Sequence, residues 1–143
     1  MIGPYRDVNG NPSYRQEQGW MASRMPVLAA EPALADAKHL VGCLTRLRQT
    51  VRVAMSADDI IDLLRREVFT RAVVAVELTL DGEPVLARLS RLPMPRRIVA
   101  LGPAGDPVSE VMALAAGAQA YLARPVSVED LARALAVPAG TRT

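Results

Sequence analysis

Two kinds of apolar block alternate along the chain. Met25 to Ala29 is a short uninterrupted run, after which Leu34, Ala37, Val41 and Leu44 recur at helical spacing to about Gln49. Pro32 stands where it can open that helix, having no amide donor to lose. Val51 to Met55 reads as a strand. Ser56 has the chemistry of an N-cap, with Asp58 and Asp59 placed to complement a helix dipole. Ile60, Ile61, Leu63 and Leu64 supply the buried face of that second helix. Ala72 to Val76 (AVVAV) and Ile98 to Leu101 (IVAL) are uninterrupted and rich in β-branched residues, which suits strands covered on both faces. Between them Val85, Leu86 and Leu89 mark a short third helix. A fourth follows Asp106, with Val108, Val111, Met112 and Ala115 expected inward and Gly117 just past its end. Ala120 to Ala123 is the last strand, and Ser127 caps a fifth helix carrying Leu131, Ala134 and Leu135.

Five such alternations within residues 25–137 predict an α/β domain. Short helices around one apolar sheet favour a flavodoxin-like doubly wound (βα)5 sandwich, with a parallel five-stranded sheet in the order 2-1-3-4-5. In that architecture ligands sit outside the carboxyl ends of the strands, so functional positions should follow Ala29, Val76, Leu101 and Ala123. Residues 1–24 are polar, carry Gly3, Pro4, Gly10, Pro12 and Gly19, and show no periodicity, which predicts a flexible tail. Tyr5, Tyr14 and Trp20 lie in it. Two readings stay open: a recognition segment that folds on binding, or an extension upstream of a physiological start at Met21 or Met25. Residues 138–143 read as a short C-terminal tail.

A length of 143 residues suits one domain, and half of them are apolar, enough for a real core. No apolar run approaches the roughly 18 residues of a membrane span, and the N-terminus lacks the apolar stretch of a secretory signal. One cysteine (Cys43) and one histidine (His39) exclude an internal disulfide framework, a cysteine zinc site and a multi-histidine metal site. These features point to the cytoplasm. Both residues fall off the apolar stripe of the first helix and are expected at the surface. Seventeen basic residues, sixteen of them arginine, face fifteen acidic ones, and a net charge of +2 is no nucleic-acid footprint. Arg88, Arg91, Arg96 and Arg97 cluster before the fourth strand. The cluster reads as a solvated edge or a seat for a phosphate-rich ligand. No GxxxxGK[ST] or GxGxxG element is present.

From Met25 to Ala136 the chain resembles a response-regulator receiver domain of the chemotaxis-regulator type. The stretch GDPVSEVMALAAGAQAYLARPVSVEDLARAL carries most of the resemblance, with AAEPAL and AVVAVELTLDG in the expected order before it. The resemblance implies a metal-binding acid pair at Ala29 and Ala30, a phosphoacceptor at Glu77 and a switch hydroxyl at Gly102. It implies a Lys-Pro at Arg124-Pro125, with a cis peptide, and a state-reporting aromatic at Tyr121. Most of the chemistry is missing. Alanine offers no oxygen to a hard cation that takes about six. Glu31 matches the position after the pair, where its side chain is expected to point elsewhere. The extra methylene of Glu77 displaces its carboxylate by about 1.5 Å, and misplacement on that scale can cost about 10²-fold. Gly102 has no hydroxyl.

The expectation is a stand-alone, degenerate pseudo-receiver in two-component-type signal transduction. It has no catalytic residue, bound metal or cofactor and is not an enzyme. It would act by phosphorylation-independent contact with a signalling or regulatory protein, or as a homodimer. Membrane insertion and nucleic-acid binding are not expected. Glu77 and Arg124 are expected to form an ion pair. The interaction face would comprise Glu110, Ala113 and Leu114 of the fourth helix, Tyr121 of the fifth strand, and Glu129 and Arg133 of the fifth helix. Two alternatives remain: a ligand-binding module, for instance for a cyclic dinucleotide through its arginines, and a response regulator that keeps residual phosphoacceptor activity.

Overall fold

The computed structural model describes residues 25–136; the readings made for 1–24, with Tyr5, Tyr14, Trp20 and Met21, and for 138–143 lie outside the described residues. The described chain runs β1 (Val27–Ala30), α1 (Leu34–Arg46), β2 (Val51–Ala54), α2 (Ala57–Arg66), β3 (Arg71–Ala75), β4 (Thr79–Leu80), β5 (Glu83–Pro84), α3 (Val85–Ser90), β6 (Arg97–Gly102), α4 (Pro107–Ala115), β7 (Ala120–Ala123) and α5 (Val128–Leu135). Five of the strands form one parallel sheet in the order β2-β1-β3-β6-β7. Counting sheet strands alone, this is the 2-1-3-4-5 order of the flavodoxin-like fold. The small antiparallel hairpin β4–β5 was not legible as strands. An Asp81-Gly82 turn closes it, both residues at positive φ (54° and 78°), the conformation a two-residue hairpin loop demands.

The uninterrupted apolar runs follow from burial on both faces. Side chains alternate along each strand. Val27, Ala29, Val73, Val99 and Leu101 pack under α1 and α5 with Leu40, Leu44, Leu131 and Leu135. Leu28, Ala30, Ala72, Val74, Ile98 and Ala100 pack under α2, α3 and α4 with Ile60, Phe69, Leu86 and Leu89. Both serine caps read from the sequence are formed, and Asp106 adds a third, whereas Pro32 lies before the N-cap Ala33 and does not open α1. Ser56 accepts from the Asp59 amide at 3.1 Å, and Ser127 from the Asp130 amide at 3.0 Å. Asp106 accepts from the Ser109 amide at 3.1 Å. Gly117 follows α4 with φ 117°.

Two helical faces differ from expectation. α1 begins at Leu34, without a side-chain cap, and buries Ala37, Leu40, Cys43 and Leu44; Leu34 is exposed and Val41 only half-buried. The helix packs against α5 as well as the sheet, which turns its buried stripe toward Cys43. Cys43 is therefore a core residue and not a surface one, and burial raises its thiol pKa. His39 is exposed, with Nε2 2.8 Å from the Val126 carbonyl.

The second is α4, where Val108, Val111 and Met112, expected inward, are 65%, 65% and 64% exposed, and Ala115 is exposed too. Ala113, expected on the outer interaction face, is 3% exposed, and Ala116 packs against the core. α4 is apolar almost all round, so its pattern leaves the rotation undetermined. Tertiary contacts set it. The Ser90 hydroxyl donates to the Ala116 carbonyl at 2.7 Å, pinning the end of α4 to α3. Alanine then lies against the sheet, where the helix approaches closely.

Candidate functional site

The chain crosses from one face of the sheet to the other between β1 and β3, and the carboxyl ends of these neighbours form the crevice such folds use. β1 runs through Ala30, one residue further than expected. Ala29 and Ala30 are consequently both strand residues, buried in opposite cores, and neither side chain enters the crevice. The first side chain beyond the strand is Glu31. It is 1% exposed, the only buried charged residue among those described, and its amide donates to the Ala54 carbonyl at 3.0 Å. The expectation that Glu31 points elsewhere is thus overturned by the length of β1.

Glu77 lies just beyond β3, and Arg124 just beyond β7. The Arg124 amide donates to the Gly102 carbonyl at 3.0 Å, and its peptide to Pro125 is cis. Three strand spacings separate β7 from β1, roughly 14 Å. Long side chains from both directions are needed to close that span, and the three residues here are arginine and two glutamates. Arg124 donates from Nε to Glu31 Oε2 at 2.8 Å and from Nη2 to Glu31 Oε1 at 3.0 Å. Its other edge donates from Nη1 to Glu77 Oε2 at 3.0 Å and from Nη2 to Glu77 Oε1 at 2.7 Å. The expected Glu77–Arg124 pair is present, and Glu31 joins it as the more deeply buried partner. Asp36 Oδ2 lies 3.7 Å from Nε as a third, outer carboxylate.

Planar guanidinium geometry suits two bidentate carboxylates, one on each edge. The hydrogen bonds from Arg124 are the largest influence on Glu77 and hold its carboxyl below the usual carboxylate range. The same bonds, from Glu77 first and Glu31 next, push the Arg124 pKa upward. The guanidinium is a fixed cation that bridges the two carboxylates from within.

Gly102 ends β6, and its missing side chain has a visible use. A Cβ there would overlap the Tyr121 hydroxyl and lie 2.8 Å from ring carbons Cε1 and Cζ. Tyr121 is half-buried over this spot and donates to the Pro103 carbonyl at 2.8 Å. Burial raises the phenol pKa, with the Asp106 carboxylate adding to it.

The remaining candidates lie outside this pocket. Glu110, Leu114, Glu129 and Arg133 are exposed on α4 and α5. Arg133 is paired with Asp130 of its own helix. Arg88 and Arg91 are engaged by Glu83, at 3.2 and 2.7 Å; Arg96 and Arg97 stand at the amino end of β6.

No protein-family model matches the sequence, and no curated relative does. Solved structures do resemble it. A signal receiver domain of an HD domain-containing protein from Pseudomonas fluorescens Pf-5 superposes with a TM-score of 0.69 at 23% identity, over 79% of this chain and 92% of that one. A response regulator from Burkholderia pseudomallei, solved with a phosphorylated aspartic acid, a calcium ion and citrate, gives a TM-score of 0.67 at 28% identity, over 81% and 69%. The receiver domain of Ssk1 from Saccharomyces cerevisiae, solved with the phosphotransfer protein Ypd1, gives 0.65 at 18%, over 79% and 87%.

The fold is that of a response-regulator receiver domain.

The metal ion that the receiver fold implies does not fit the residues present here. All four carboxylate oxygens of Glu31 and Glu77 accept from Arg124, whose charge occupies the space between them. Among the described residues no group of three histidine, cysteine or acidic side chains is arranged to hold a metal. Nor is any described helix long and apolar enough to cross a membrane.

Proposed function

We propose that the protein is a degenerate receiver that serves signal transduction by docking on a partner protein, without cycling phosphate and without enzymatic activity. The Glu31–Arg124–Glu77 group carries this reading. A receiver that accepts phosphate must keep an acceptor carboxylate oxygen free for attack, with metal and lysine charge placed beside it to receive the phosphoryl group. Here both oxygens of the residue at the acceptor position are held by a bidentate arginine. The contact with Ypd1 recorded for the receiver domain of Ssk1 supports protein docking as a use of this fold.

The docking face includes α4. Val108, Val111, Met112 and Leu114 stand exposed, and a groove of about 440 Å³ between α3 and α4 adds Pro84 and Leu86. Apolar patches of this kind mark interaction surfaces.

Incubation of the full chain with a small acyl phosphate and magnesium, followed by intact mass measurement, tests the first half of the proposal. An unchanged mass is expected; the increment of one phosphoryl group would overturn it and revive the residual phosphoacceptor. Capture of the partner from the native source by the wild-type chain, and its loss with Met112→Arg or Leu114→Arg, tests the second half.

A further inference from the structure

Opposite charges gather at the two ends of the sheet. In this fold each helix returns the chain toward the amino ends of the strands, so its last turn and the loop beyond lie there. Arg46 and Arg48 close α1, Arg65 and Arg66 close α2, and Arg96 and Arg97 lead into β6. Backbone and side-chain bonds join these segments into one surface. The Arg96 and Arg97 amides both donate to the Thr70 carbonyl, at 3.1 and 3.2 Å. Arg71 Nη2 donates to Gln49 Oε1 at 2.8 Å, tying β3 to the loop before β2. Arg71 and Arg97 are register partners on neighbouring strands, about 4.8 Å apart. Arg46, Arg48, Arg65, Arg66 and Arg96 are exposed, Arg97 is half-buried, and none of these six makes an ion pair with a described residue. Glu67, the acid that follows α2, is engaged by Arg52 at 2.7 Å.

The carboxyl end is the counterpart. Asp58, Glu110 and Glu129 stand exposed in the first turns of α2, α4 and α5 and form no ion pair among the described residues. Arg124, the arginine of that end, is consumed by Glu31 and Glu77.

We infer that the arginine-rich amino end of one copy docks on the acidic carboxyl end of a second copy, giving head-to-tail association along the strand axis. The chain itself supplies the complementary surface, of matching footprint, since both are ends of one sheet. Arginine forks match carboxylates in bidentate geometry. A polyanion such as a nucleic acid is the weaker occupant. Residues 25–136 carry thirteen basic and thirteen acidic side chains, so no net field draws a polyanion in. A contact between unlike surfaces builds a ring where its rotation closes and an open chain where it does not, and in either case leads to species larger than a dimer. It shares Glu110 and Glu129 with the expected interaction face but does not use the exposed apolar residues of α4 or the Glu31–Arg124–Glu77 group, so the two contacts are separable by substitution.

Sedimentation velocity of the full chain tests the inference, at ionic strengths of about 0.01 M and about 1 M, where the Debye length falls from about 30 Å to about 3 Å. The low-salt sample should show concentration-dependent species larger than a dimer that disappear at high salt. Two variants separate the ends: Arg66→Ala with Arg96→Ala, and Asp58→Asn with Glu110→Gln and Glu129→Gln. Each alone should self-associate about tenfold more weakly or less. Mixed, they keep one intact basic end and one intact acidic end and should form one-to-one pairs and nothing longer. Circular dichroism of each variant establishes that it folds. Association that survives high salt, or that persists unchanged in the arginine variant, overturns the inference. So does a monomer at both salts, whether or not its arginines retain duplex DNA or anionic vesicles. A loss of association on Leu114→Arg alone, with no effect of the charge variants, would support the α4 face and reject the head-to-tail contact.

Discussion

At the scale of single residues, the two acids that hold Arg124 differ in what their loss should do. Glu31 is buried and Glu77 half-exposed, its side chain 47% accessible. Removing a partner from a buried pair leaves an uncompensated charge and costs about 3–5 kcal/mol, whereas an exposed pair is worth about 1 kcal/mol or less. Arg124→Ala should therefore lower the urea-unfolding stability at neutral pH by several kcal/mol, and Glu77→Gln by about 1 kcal/mol or less. Combining Arg124→Met with Glu31→Leu should recover most of the loss, because no charge is then left buried. Acid titration separates the roles further. The Glu77 carboxyl is held below its unfolded value, about 4.3, so the folded protein binds its proton less readily. Its contribution is complete above that value and is lost as pH falls through the lower folded one. Unfolding measured from neutral pH downward should show a flatter acid limb for Glu77→Gln than for the wild type; identical limbs would mean that the pair does not couple to folding. The Glu77–Arg124 partnership was legible in the sequence because both residues follow strand ends. Glu31 was not, since its direction hangs on whether β1 stops at Ala29 or at Ala30, a difference of one residue that turns a side chain to the opposite face.

Elements show where periodicity decides and where it does not. α2 and α5 have sharply divided faces, and Ile60, Leu63, Leu131 and Leu135 are buried as their spacing requires. α4 has apolar residues on nearly every side. The helix itself was recognisable from Asp106 and Gly117, but its rotation was not, because several orientations bury similar apolar area. Packing against small residues of the sheet, with the Ser90–Ala116 hydrogen bond, selects the one that buries Ala113. Ala113→Leu should consequently overpack the core and cost about 1–3 kcal/mol, while Met112→Arg should change stability by no more than about 0.5 kcal/mol. Thermal or denaturant melts of the two variants check this. The opposite ranking would restore the rotation that the pattern alone suggested. The same logic explains Cys43, which lies off a stripe drawn through Leu34 and Val41 but on the stripe that α1 presents to the sheet and α5 together.

For the molecule as a whole, a pocket that already contains its cation should leave global stability indifferent to added metal. A magnesium site with a dissociation constant of about 1 mM would stabilise the domain by about 1.4 kcal/mol at about 10 mM metal. That would raise the melting temperature by several degrees in a domain of this size. No concentration-dependent rise is expected; a saturable one, abolished by Glu31→Gln, would refute the arginine-filled pocket. The alternation of β-branched runs with capped amphipathic helices determined the layers and, through strand succession, the order of the sheet. Capping residues determined where α2, α4 and α5 begin, since those bonds are local. Long-range geometry decided the rest: the rotation of α4, the burial of Cys43, the seating of Tyr121 over Gly102, and the meeting of residues 31, 77 and 124. These last are brought together only when β1, β3 and β7 end on the same side of one sheet. Local pattern reports what a segment prefers by itself, whereas a contact between residues 93 positions apart, as in Glu31 and Arg124, exists only after the whole chain has folded.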